Sequence, residues 1–175
     1  MIYKGDYKIS SPYGQRNLNG DTRFHKGVDF VGVDKTIIAP VDGTIKSSTI
    51  ITDKNNLTWE WGNYVRLDTQ DGHRLFFCHL ASRNVKVGQT VKRGDIIGIE
   101  GNTGFVVGNP GIHCHFEVRT PANISIDPIT YLNSINKTDR EKVQEYFGFD
   151  NNTMSHLDKH PWPKDLYRKL SKDYK

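Results

Sequence analysis

The sequence predicts a mainly β protein, an antiparallel sheet or sandwich with a small helical appendage at its C-terminal end. Three observations predict it. Short β-branched and aromatic runs recur at roughly ten-residue spacing, separated by glycine turns such as Asp42-Gly43, Asp71-Gly72 and Gly94-Asp95. No helical periodicity shows before about residue 126. After Asn133 the texture changes to apolar stripes at helical spacing.

In chain order, Ser11-Pro12-Tyr13-Gly14-Gln15-Arg16 is a turn-rich opening, and 17–22 reads as a polar loop. Residues 28–33 alternate weakly, as a strand does. Thr36-Ile37-Ile38-Ala39-Pro40 leads into Val41-Asp42-Gly43-Thr44-Ile45, where Asp-Gly between apolar runs signals a turn. Residues 63–67 and 74–80 read as strands around Asp71-Gly72. Residues 85–91 and 96–99 read as short strands separated by Lys92-Arg93-Gly94-Asp95. Gly43, Gly72, Gly88, Gly94 and Gly104 are expected as turn residues at positive φ rather than as phosphate cradles. The run 111–118 is a strand following the turn cluster Gly108-Asn109-Pro110-Gly111.

Asp127 and Pro128 open one helical turn, as cap and first residue. Thr138 and Glu141 have capping-box spacing, and Val143, Tyr146 and Phe147 form an i, i+3, i+4 stripe. Met154 and Leu157 predict a second short helix beginning near Asn151 or Asn152. After the break Pro161-Trp162-Pro163, Leu166, Tyr167 and Leu170 predict a third. Its basic end (Arg168, Lys169, Lys172, Lys175) complements the helix dipole. The expected division is a domain over 1–133 and a helical extension over 134–175.

With 175 residues, such a domain buries a core without disulfides. Mean hydropathy is −0.62 and no apolar run approaches ~18 residues, so no membrane insertion is expected. The start, Met1-Ile2-Tyr3-Lys4-Gly5-Asp6, has no apolar stretch, so no signal peptide is expected. Net charge is +4, but no basic stripe interleaves with aromatics, which disfavours nucleic acid. Cys78 and Cys114 make no C-x-x-C and are expected as buried free thiols.

The chemistry concentrates in two places. In His113-Cys114-His115-Phe116-Glu117, strand alternation puts His113, His115 and Glu117 on one face and Cys114, Phe116 and Val118 on the other. Two imidazoles at that spacing reach a common centre. Upstream, His25 and Asp29 share a face if 25–29 is extended. Two nitrogen ligands and a carboxylate, with a fourth position open, make up a catalytic zinc site. His79, in Phe77-Cys78-His79-Leu80, is a third candidate. Thus four histidines and a carboxylate fall on predicted strands of one domain. His73 is expected to be solvated at its turn, and His156 and His160 to lie on the surface. Arg16 reads as a structural ion pair or a substrate contact, and Glu117 as support for a metal ligand or as a rim residue. Asn102 and Thr103 read as ordinary turn residues.

These motifs together resemble the lysostaphin-type peptidoglycan endopeptidases, which are zinc hydrolases. The resemblance runs over about 10–130 and rests on His25-x-x-x-Asp29, Phe77-Cys78-His79-Leu80 and His113-Cys114-His115-Phe116-Glu117. Ser11–Arg16, Ala39-Pro40-Val41-Asp42-Gly43, the run from Val85 to Gly98 and Gly101-Asn102-Thr103-Gly104 follow in the family's order. It implies zinc ligands His25, Asp29 and His115, catalytic histidines His79 and His113, and one Zn²⁺ per chain. It implies bacterial peptidoglycan as partner and action at the cell wall; the chain is expected to be a monomer. The C-terminal helices vaguely resemble segments of phage-encoded relatives, implying a bacteriophage endolysin or tail lysin.

Three departures stand out: Cys114 where leucine is usual, Phe77 where tyrosine is common, and a longer loop over 105–112. That loop is where substrate preference is expected to differ. Two other classes compete. A non-catalytic wall-binding or amidase-activating member of the fold would have lost ligands. A biotinyl, lipoyl or phosphotransferase carrier, which the run from Val85 to Gly98 also resembles, has no need of His25 with Asp29.

Overall fold

The computed structural model of the chain describes residues 1–18, 21–56, 58–108 and 111–172. It divides into two compact units, Met1–Leu132 and Asn133–Lys175. In the first, the strands are β1 (Tyr7–Ser11), β2 (Gly14–Leu18), β3 (Asp21–His25), β4 (Val28–Gly32), β5 (Thr36–Ile38) and β6 (Gly43–Ile50). After a 3₁₀ turn (Trp59–Trp61) come β7 (Asn63–Thr69), β8 (Arg74–Cys78), β9 (Ser82–Arg83), β10 (Thr90–Val91), β11 (Ile96–Ile99), β12 (Cys114–Arg119) and β13 (Ser125–Ile126). An eight-stranded sheet has the order β1-β4-β12-β8-β7-β6-β10, with β13 beside β12; β5-β11-β9 form a second sheet and β2-β3 a hairpin. Among the described residues the pairings are antiparallel.

The core follows from alternation. Cys114, Phe116 and Val118 on β12 are fully buried, as are Phe77 and Cys78 on β8 and Val28 on β4. Phe116 pairs with Phe77 in register, and their rings lie 5.0 Å apart. Such an aromatic pair contributes about 0.5–1.5 kcal/mol beyond its buried area. The two cysteines are free and buried, and burial pushes both thiols well above their ordinary pKa. Cys114 therefore packs the core.

Several expectations are corrected. The stretch expected as a polar loop over 17–22 contributes to the β2-β3 hairpin, where Arg16 pairs with Arg23 and Asn17 with Thr22; Asn19 and Gly20 lie outside the described residues. Asp42-Gly43 joins no hairpin, because β5 and β6 belong to different sheets. Gly72, Gly88, Gly94 and Gly104 do have positive φ, but Gly43 does not. Its Cβ would meet Asp68 O at 2.5 Å, so glycine is needed there for close strand approach rather than for a turn. The run 85–91 is strand only at Thr90–Val91. His73 is half-buried, its ring 5.0 Å from that of Tyr131, with Nδ1 3.1 Å from Asp71 Oδ2.

α1 (Pro128–Asn136) is nine residues, not one turn. Asp127 caps it as expected, accepting from Ile129 N at 3.0 Å. In the second unit, α2 (Asp139–Phe147) carries the Thr138–Glu141 capping box. α3 (Asn151–Asp158) begins at Asn151, as expected, and is capped by Asp150, and α4 (Pro163–Leu170) begins on proline. Val143, Met154 and Tyr167 form a small core with Phe149, Leu157 and Leu170. Tyr146 and Phe147, expected on the apolar stripe, are exposed. His156 and His160 are exposed, as read from the sequence. Among the described residues no helix is long and apolar enough to cross a membrane.

Candidate metal centre

Sheet order makes neighbours of distant segments. β12 runs between β4 and β8, so His115 pairs with Asp29 on one side and Cys78 on the other. His79 then lies one residue past that pairing. His25 is the last residue of β3 and Asp29 the second of β4. They do not share the face of one strand, as the sequence suggested. A bend at Lys26-Gly27 brings them together instead, with His25 Nε2 3.1 Å from Asp29 Oδ1. Gly27 has no room for a side chain: a Cβ would lie 2.5 Å from Phe116 O and 2.8 Å from His115 Cε1.

Three potential donors converge. His115 Nδ1 is 2.8 Å from Asp29 Oδ1 and 3.0 Å from His25 Nε2. The partners of the other ring nitrogens assign the tautomers. His25 Nδ1 lies 2.7 Å from Pro12 O, an acceptor only, so Nδ1 carries the proton and Nε2 the lone pair. His115 Nε2 lies 3.2 Å from Glu117 Oε1 and donates there, leaving Nδ1 as the lone-pair nitrogen of the neutral ring. With both rings neutral, two bare nitrogens and a carboxylate face one another, an arrangement that suits a cation. Zinc at bond lengths near 2.0–2.1 Å spaces tetrahedral donors by about 3.3 Å, close to the separations seen. His25, Asp29 and His115 thus form a set that fits a metal ion.

Two more histidines flank the set. His113 Nε2 lies 3.8 Å from Asp29 Oδ1, and the His79 and His113 rings are 4.7 Å apart. His79 Nδ1 donates to Thr103 O at 2.8 Å, and His113 Nδ1 to Gly111 O at 2.9 Å. Each therefore keeps Nε2 free in its neutral form. Neither is on a strand, contrary to expectation: His113 precedes β12 and His79 follows β8. His79 has φ +63°, a left-handed conformation costing a non-glycine residue about 1–3 kcal/mol. Its N–H donates to Trp61 O at 2.9 Å, which helps hold the strained backbone.

The electrostatics divide these groups. Burial favours the neutral acid of Asp29, yet hydrogen bonds and charge from His115 and His25 hold its carboxyl well below the usual range. Burial also opposes charge on His115, but Asp29 and Glu117 overcome it and raise the ring to about 9. His79 moves the other way, to about 4, through burial reinforced by His113 and His115. It is therefore neutral at pH 7.

Arg16 takes the ion-pair reading: Nη1 lies 3.5 Å from Asp29 Oδ2 and donates to Ser11 Oγ at 3.0 Å. Glu117 is buried rather than on a rim. Sequence reasoning missed Thr103, whose Oγ1 donates to Leu80 O and accepts from Asn63 N, each at 2.9 Å. Those bonds fasten the carbonyl that orients His79. It also missed Arg119, although period-two alternation places it on the Glu117 face. The loop flagged for substrate preference exposes Phe105 and Val107, and Phe105 packs edge-on against Trp59 at 5.9 Å. Asn109-Pro110 lies outside the described residues.

An antiparallel sheet carrying this donor set beside two further histidines is the framework of a metallopeptidase. More narrowly, the chain belongs to Peptidase family M23, whose sequence profile matches residues 23–128. It is 35% identical over 134 residues to the glycyl-glycine endopeptidase ALE-1 of Staphylococcus capitis, covering 74% of this chain and 34% of that one. The catalytic domain of lysostaphin from Staphylococcus simulans superposes with a TM-score of 0.59 at 32% identity, covering 73% of this chain and 92% of that domain. A zinc-containing peptidase from Vibrio cholerae superposes with a TM-score of 0.59 at 27% identity, covering 72% and 37%. The chain spans from a quarter to a third of the first curated relatives it matches, 25% and 34% of their lengths.

Proposed function

We propose that this chain is a zinc-dependent endopeptidase that hydrolyses peptide bonds in bacterial peptidoglycan. His25, Asp29 and His115 hold the zinc, and His79 and His113 are the catalytic histidines. The observation that carries the reading is the convergence of His25 Nε2, Asp29 Oδ1 and His115 Nδ1 within 3.1 Å of one another. A relative named as a peptidoglycan DD-endopeptidase, ShyC of Vibrio cholerae, supports the choice of polymer. The intact donor set with both flanking histidines speaks against a non-catalytic binding module. Residues 1–133 are the catalytic part and 134–175 an extension. A phage origin is part of the same proposal and rests on the resemblance of the C-terminal helices.

Bound zinc supplies Lewis acidity and a water pKa near roughly 7. The protein supplies the proton transfers. The bare Nε2 of one flanking histidine takes a proton from the attacking water. The other acts in its imidazolium form, protonated at both nitrogens, and gives its Nε2 proton to the leaving amine or hydrogen-bonds the developing oxyanion with it. Thr103 O and Gly111 O accept from Nδ1 in both rings, which makes Nε2 the nitrogen that exchanges protons. Arg16 braces the far oxygen of Asp29.

The test is digestion of purified peptidoglycan, with fragment masses read by mass spectrometry. Walls with glycine cross-bridges and walls with direct crosslinks are compared. The expected result is new peptide fragments in at least one wall type, abolished by a chelator and restored by zinc. Wall binding with no new amine termini in any wall would sink the proposal.

A pH dependence follows from His115. Metal binding needs its Nδ1 bare, whereas the metal-free ring stays protonated up to a pKa of about 9. Zinc uptake at pH 7 should release about one proton from this residue. Apparent affinity should fall about tenfold per unit as pH drops below that pKa, and the release should vanish well above it. Calorimetry in buffers of different ionisation enthalpy measures the release; a pH-independent affinity between 6 and 8 contradicts the assignment.

A further inference from the structure

Behind His115 lies a second layer of chemistry that the proposed reaction does not use. Glu117 is 3% exposed, too buried for an unpaired carboxylate. Its Oε1 accepts from His115 Nε2 at 3.2 Å. Its Oε2 takes two bonds from one guanidinium, Arg119 Nε at 2.8 Å and Nη2 at 2.5 Å. That guanidinium lies over two aromatic rings, 4.9 Å from the centre of Phe76 and 5.4 Å from that of Trp61. Both rings hold its plane through cation–π contact. Trp61 also carries the carbonyl that accepts the His79 N–H.

We infer that Glu117, braced by Arg119, is the positioning residue that commits His115 to its Nδ1 as metal-binding nitrogen. The inference rests on the zinc reading above. An imidazole has two equivalent ways to offer a lone pair, and rotation about χ2 exchanges them. A carboxylate at Nε2 fixes that nitrogen as a donor, which leaves only Nδ1 for the metal. Arg119 keeps the carboxylate in place and balances its charge. The aromatic rings keep Arg119 from swinging to solvent. His115, Glu117 and Arg119 are all on β12, so the ligand is oriented by its own strand.

Zinc affinity, measured by competition with a chromophoric chelator, tests this on E117Q, E117A and R119Q. Outer partners of metal-bound histidines contribute roughly 10–100-fold in affinity. E117Q, whose amide oxygen still accepts, should lose about tenfold, and E117A about 100-fold. R119Q should fall between wild type and E117A. Nitrogen-detected NMR of the zinc-loaded protein should show one His115 tautomer in wild type and E117Q and a mixture in E117A. A merely structural loss would lower the melting temperature without changing the tautomer. If E117A does not fold, R119Q and E117Q decide. A wild-type chain that takes up no zinc overturns the underlying reading. A wild type that binds zinc alongside folded variants with affinity within twofold and an unchanged tautomer overturns this inference alone.

Discussion

His115→Ala is expected to abolish zinc retention and hydrolysis together. The side chain makes the shortest contact in the donor set, 2.8 Å to Asp29 Oδ1, and its removal leaves Asp29 and His25 as a two-donor site. The loss should exceed the roughly 100-fold that marks removal of an outer partner. It also strands Glu117, a buried carboxylate whose Oε1 loses its donor. Leaving such a group unsatisfied costs about 1–3 kcal/mol or more, so the variant should melt lower as well. Elemental analysis after dialysis reads the metal, and wall digestion reads the activity. A variant that still carries one zinc per chain would remove His115 from the ligand set.

His79→Ala should behave in the opposite manner for the metal. His79 donates Nδ1 to Thr103 O, its ring lies tilted to that of His115 with centroids 5.9 Å apart, and it is not one of the three residues whose donor atoms converge. Zinc content should therefore stay at the wild-type level. Turnover should fall by about 10²–10⁴-fold, the usual contribution of a positioned acid or base. The backbone at this residue is left-handed, and alanine tolerates that conformation no better than histidine. His79→Asn is the matching control, because asparagine visits this region most readily among non-glycine residues. It should fold as wild type and be equally inactive. Loss of zinc in both variants would mean that the roles of His79 and the ligands are wrongly divided.

Much of the fold is legible in the sequence because it is local. Alternation along 114–118 places Cys114, Phe116 and Val118 inside, and all three are fully buried. The Thr138–Glu141 spacing is itself the capping box, and Asp71-Gly72 closes the β7-β8 hairpin because a turn needs only its own residues. The failures are where neighbours decide. The β2-β3 hairpin reads as a polar loop, since both faces carry polar residues and no apolar stripe announces it. Residues 85–91 have strand composition but mostly form a turn, because Gly88 takes a positive φ and only Thr90–Val91 finds a partner in β6. Gly43 looks like a turn glycine and is instead a point of strand contact.

The site divides in the same way. Residue types and short spacings single out His25, Asp29, His79, His113 and His115 as candidates. They also suggest a metal, since two imidazoles and a carboxylate have few other common uses. What they cannot contain is sheet order. His25 and His115 stand 90 residues apart, and only β12 lying between β4 and β8 puts them on one centre. Tertiary structure also chose which nitrogen each ring offers, through Pro12 O, Thr103 O, Gly111 O and Glu117. The three carbonyls come from turns and strand ends whose positions depend on the packed sheet, and Glu117 from β12 itself. Side-chain chemistry is written residue by residue, whereas direction and proximity arise only once the backbone's hydrogen bonds have been paired.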